Sequence, residues 1–134
     1  MNAALVVAGT LTLLASAIHG GAGEVLVVRK LSPPALPSTR FGGGQMTKTM
    51  IQAAWHITTV AFLATGLGLV LAGTALEGDA RQAIGVLGAA ACTGFAGVVV
   101  ALGLAQGRFI RTVRRHPAPL VLTLAAVLAW LGAV

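Results

Sequence analysis

Polar residues divide the chain into four long apolar stretches, and their lengths predict helices that cross a lipid bilayer. The first runs from Ala3 to Val28. Its apolar body ends at Ile18, and His19-Gly20-Gly21-Ala22-Gly23-Glu24 interrupts it before a second patch, Val25–Val28. As one continuous helix this stretch would reach about 39 Å, beyond the ~30 Å of hydrocarbon, so the helix protrudes or loosens at its glycines. The next three stretches are approximately 50–73, 83–105 and 118–134, the last being short for a span. Pro117 and Pro119 suit the opening turn of that fourth helix, where a missing backbone N–H costs nothing. Residues 31–45 hold Pro33, Pro34, Pro37 and Gly42 to Gly44, which predicts a flexible loop. Together these elements predict an all-α, four-helix integral membrane bundle with short loops, one transmembrane domain over residues 1–134.

Charge sets the expected orientation. Eight of the nine basic residues occupy two segments: Arg29, Lys30, Arg40 and Lys48, then Arg108, Arg111, Arg114 and Arg115. The intervening polar gap, Gly73–Gln82, carries Arg81 against Glu77 and Asp79. Lys/Arg-rich loops stay in the cytoplasm, so both chain ends are expected on the far side of an inner (plasma) membrane. Only 9% of residues are charged, against about 25% in soluble domains, and so small a fold could not hide this apolar surface in a water-soluble core. The net charge of +6 is explained by topology and by attraction to anionic lipid headgroups, and no motif points to nucleic acid. Ala15-Ser16-Ala17 looks like a signal-peptide cleavage site, but no basic residue precedes Leu5. Cleavage there would also invert the charge rule for every later loop.

Helices in lipid associate through close backbone approach. Gly85, Ala89, Thr93, Gly97, Ala101 and Ala105 recur every four residues along the third span, and Gly103 and Gly107 add a GxxxG. This ridge predicts a packing seam, within the bundle, with a second copy of the chain, or with a membrane partner protein. Cys92 is the single cysteine and is expected to pack as a small apolar residue. Trp55 and Trp130 are expected at opposite membrane interfaces.

The candidate chemistry lies in the first two spans. His19 shares a helical arc with Thr12, Ser16, Gly20 and Gly23, with Glu24 at its edge; Gln52, His56 and Thr59 share an arc of the second span. Counted from the span ends, Glu24 lies about 6 Å deep, His19 about 14 Å and His56 about 10 Å, all in the cytoplasmic third. A charged Glu facing lipid costs several kcal/mol, so Glu24 should turn inward or reach the interface. His19, Glu24, Gln52, His56 and Thr59 are therefore the expected ligand or ion pocket. Four readings follow: a hydrogen-bonded clasp locking the first hairpin, a proton or ion relay, a transition-metal site of His19, His56 and Glu24, or a haem between the two histidines. The last is disfavoured because few bulky residues surround them. No metal-ligand spacing motif singles out the third. Arg108, Arg111, Arg114 and Arg115 are candidate contacts for lipid phosphate, and His116 a solvated neighbour. GxSxG, CxxC and nucleotide-binding glycine patterns are absent, so the chain carries no recognisable catalytic signature. The sequence thus predicts a small membrane protein with a cytoplasm-facing polar pocket that binds or relays an ion, proton or small molecule. An accessory subunit of a larger membrane complex is the alternative, and a membrane-embedded metal or redox protein the third reading.

Overall fold

A computed structural model describes residues 1–107, 110, 113–114 and 117–134. Among the described residues the regular structure is helical, joined by turns and irregular segments, without strands beyond one isolated bridge, Thr39 with Gly42. Helix α1 covers Ala3–Ala17, α2 Gly44–Thr74, α3 Gly78–Ala105 and α4 Ala118–Ala133. Between α1 and α2 the chain continues as a π-helical turn, Ile18–Gly23, an α turn, Glu24–Leu26, and two 3₁₀ turns, Val28–Lys30 and Pro33–Ala35. Three stretches, Ala3–Lys30, Gly44–Thr74 and Gly78–Ala105, are long and apolar enough to cross a membrane. Helix α4 is apolar but shorter, 16 residues or about 24 Å.

Two helices start earlier than hydropathy suggested. Helix α2 begins at Gly44 rather than near residue 50, because the polar run Gln45-Met46-Thr47-Lys48-Thr49 is helical. Helix α3 begins at Gly78, where Asp79 meets the positive end of the helix dipole. Gly78 turns the chain with φ +53°, a conformation that other residues adopt only with strain. The 31–45 segment is no bare loop: Thr47 Oγ1 donates to the Pro37 carbonyl (2.7 Å), stitching it to the first turn of α2.

The chain packs as two units, residues 1–15 with 63–134, and residues 16–62. In the first, Leu5, Ala8, Leu69, Ala72, Ala89, Cys92, Ala125 and Ala129 are fully buried. Small residues make this possible. A Cβ on Gly9 would lie 2.7 Å from the Gly66 carbonyl oxygen and 2.8 Å from the Val70 nitrogen, so the two backbones touch. On α3 the buried set is Gly85, Gly88, Ala89, Cys92, Ala96 and Gly103. Thr93, Gly97, Ala101 and Ala105 are exposed. A strict four-residue repeat drifts by about 40° per step, so the ridge winds off the packed face. Cys92 lies 3.6 Å from Thr12 Oγ1, and Trp130 Nε1 donates to Thr93 Oγ1 (3.0 Å).

Candidate functional site

The second unit contains the polar cluster. Its construction begins with the glycine-rich turn. In an α-helix at about 100° per residue, His19 and Glu24 would point some 140° apart. A π turn, closed by i→i+5 bonding, takes up about one residue more than an α turn. The Ile18–Gly23 turn therefore carries Glu24 back to the face of His19, and both meet the same stretch of α2. Gly20 and Gly23 allow the approach: a Cβ on Gly20 would meet Thr59 Cγ2 at 2.6 Å, and one on Gly23 would collide with the Trp55 ring. Upstream, Ser16 Oγ donates to the Thr59 carbonyl (2.9 Å) and holds the register.

Glu24 is the centre. Its side chain is 14% exposed, and three donors surround it, each at 3.5 Å: Gln52 Nε2 and Arg29 Nε on Oε1, and His56 Nε2 on Oε2. These distances lie at or beyond the outer edge of hydrogen bonding. Oε2 is buried and has no formed hydrogen bond among the described residues. The approach of His56 is thus electrostatic contact rather than a closed bond. The His56 side chain is 52% exposed and Arg29 68%, so the carboxylate is covered while two of its partners reach outward.

His19 stands apart from this triad. Its ring lies flat on the Trp55 indole, centroids 4.1 Å apart at 10°, and meets Phe62 edge-on at 5.6 Å. Its Nε2 is buried without a hydrogen-bond partner among the described residues. Trp55 Nε1 donates to the His19 carbonyl (2.9 Å), fixing indole and π turn together. Among the described residues no three His, Cys, Asp or Glu side chains converge as a metal site. The set His19, His56 and Glu24 is therefore not assembled among the described residues. Thr59 serves packing: its Oγ1 donates to the Trp55 carbonyl (3.1 Å) and its methyl fills the space at Gly20.

Of the expected pocket residues, Glu24, Gln52 and His56 come together. Trp55, Phe62 and Arg29 belong to the neighbourhood and were not among the expected ones. By charge pattern Arg29 reads as a topology determinant, and its place five residues after Glu24 would point it some 140° away on an α-helix, so their approach is not legible in the spacing. Trp55 reads as an interface anchor by residue type, yet it stands three residues after Gln52 on the same face. Arg114 is exposed, whereas Arg108, Arg111, Arg115 and His116 lie outside the described residues. In the first unit an apolar groove of about 260 Å³ is lined by Ala64, Thr65, Gly68, Ile84, Leu87 and Gly88, with no titratable side chain. No protein-family model, curated protein or solved structure matches the chain.

Proposed function

We propose that this chain is a small multi-pass membrane protein whose first two spans carry a proton-relay site, Glu24 with His56. The observation that carries this reading is a covered carboxylate ringed by donors, with one oxygen left without a formed hydrogen bond. A ring of donors suits an ionised carboxylate, and the oxygen left without a formed bond is the lone pair that can receive a proton. The ring does not suit a metal cation, which would face the Arg29 guanidinium. His56, half exposed, takes up a proton and passes it from Nε2 to Glu24 Oε2 across a gap of 3.5 Å. Closing that gap by about half an ångström brings the pair into the ~2.6–3.2 Å range of proton transfer. Arg29 and Gln52 steady the ionised carboxylate between transfers. Positive-inside bias puts this end of the spans in the cytoplasm, and both chain ends outside an inner membrane.

The test uses purified protein in vesicles loaded with a pH-sensitive dye under an imposed pH gradient. Wild-type vesicles should acidify faster than empty ones. Glu24→Gln should remove the excess flux by tenfold or more while the protein remains folded, as expected for loss of a proton-transfer group. A purely structural clasp gives the opposite order: no excess flux in the wild type, and a stability loss of about 1–3 kcal/mol in the variant.

A second reading, an accessory subunit, draws on α3. Thr93, Gly97 and Ala101 are exposed, and a Cβ on Gly94 or Gly97 would meet no described atom within 4 Å. That face would admit another helix, from a second copy or a membrane partner protein. Gly97→Leu should then abolish association in a bilayer without unfolding the chain.

A further inference from the structure

We infer that the turn Thr39–Gly42 is a membrane-surface anchor, in which Phe41 enters the interfacial layer of the bilayer and Arg40 binds the phosphate of an anionic phospholipid. The turn is built rather than loose. The Thr39 N–H donates to the Gly42 carbonyl (2.8 Å) and the Gly42 N–H returns to the Thr39 carbonyl (3.0 Å). The Phe41 N–H adds a bond to Thr39 Oγ1 (3.2 Å). Gly42 closes the turn with φ +148°, a backbone conformation that favours glycine. At the tip, the Arg40 guanidinium sits 5.0 Å from the Phe41 ring centroid, so cation and aromatic face are presented side by side.

Phe41 is 66% exposed. In water that ring gains nothing, whereas the boundary between headgroups and acyl chains accepts an aromatic with a neighbouring cation. Position supports the same partner. Gly42 backs onto the side chain of Met46, in the first turn of α2. Met46 and Met50 are themselves exposed and one turn apart. Phe41 therefore continues an apolar strip that leads down an outer face of a membrane-spanning helix. Charge complements it: Arg29, Lys30 and Arg40 lie on this connection and Lys48 in the second turn of α2, with no acidic residue between Glu24 and Glu77. Arg40 can grip a phosphate with two parallel bonds while its guanidinium stays beside the Phe41 ring.

The probe position is Gly43, where an added Cβ meets only Ser38 Oγ at 3.9 Å, so a side chain fits. Gly43→Cys carries a polarity-sensitive fluorophore in a Cys92→Ala background, leaving Phe41 and Arg40 intact. The protein is placed in vesicles of phosphatidylcholine alone, or with phosphatidylglycerol added. Blue-shifted emission, quenched by brominated acyl chains more than by aqueous iodide, is expected. The effect should deepen with phosphatidylglycerol and recede at high salt. Arg40→Gln should weaken the preference for the anionic lipid about fivefold, and Phe41→Ser should return the emission towards that of water. Water-like emission with full iodide quenching in both lipid mixtures would overturn the proposal and leave the turn as a surface for a soluble protein.

Discussion

Leucine in place of Gly9 is expected to destabilise the protein by about 3 kcal/mol, the upper end of ordinary overpacking. Besides Val70 Cγ2 at 2.8 Å, a new Cβ would strike two backbone atoms, the Gly66 carbonyl oxygen at 2.7 Å and the Val70 nitrogen at 2.8 Å. Neither is the end of a flexible side chain, so relief requires α1 and α2 to separate along this part of their contact. Separation also exposes Leu5 and Leu69, which are fully buried. Gly97→Leu is the control, because its Cβ meets no described atom within 4 Å. It should stay within about 0.5 kcal/mol of wild type, as surface changes do. Reversible denaturation in mixed micelles, monitored by helicity, measures both. Equal losses at the two positions would show that the glycine contact between α1 and α2 is not where stability resides.

The π turn predicts an asymmetry between adding and removing one residue. An alanine inserted between Gly21 and Ala22 turns everything downstream by about 100° relative to His19. Glu24 then leaves Gln52 and His56 and points towards lipid, which costs roughly 2–4 kcal/mol for a charge at depth. Deleting Gly21 instead leaves three residues between His19 and Glu24, a four-residue step about 40° from perfect alignment in a plain α-helix. Gly21 faces open space, with nothing within 4 Å of where its Cβ would stand, so removing it takes away no packed neighbour. The deletion should therefore keep both the fold and proton flux near wild type, while the insertion loses flux by tenfold or more and melts earlier. Denaturation and the vesicle assay, run on both variants, decide the matter. If the insertion behaves like wild type, the turn does not aim Glu24.

These two predictions show what could be read from the chain and what could not. Apolar length located the helices, three of which are long and apolar enough to cross a membrane, because lipid imposes a minimum length and a bar on charge that composition reports directly. Their ends were less legible: Gln45–Thr49 is polar yet helical, and a hydropathy reading stops where polarity begins. The meeting of Glu24 with Gln52 and His56 could be anticipated, since isolated polar groups in hydrocarbon seek one another. The orientation of Glu24 could not. At α-helical spacing it falls at the edge of the His19 arc, and nothing in His-Gly-Gly-Ala-Gly states how many residues a turn will hold. The stack of His19 on Trp55 was hidden for a related reason: an indole in a span reads as an interface anchor until its neighbour is known. On α3, spacing by four follows the packed face only in part, because the buried positions from Gly85 to Ala96 step by three, one, three and four residues.

Infrared difference spectroscopy after a pH jump, on wild-type protein in bilayers, tests the central claim most directly. The chain has three acidic side chains, Glu24, Glu77 and Asp79, so few carboxyl bands compete. The account predicts a protonated-carboxyl band that vanishes in Glu24→Gln and moves in His56→Gln, because that imidazole faces Oε2. A spectrum unchanged by Glu24→Gln would mean that this carboxylate takes up no proton, and the relay would be contradicted.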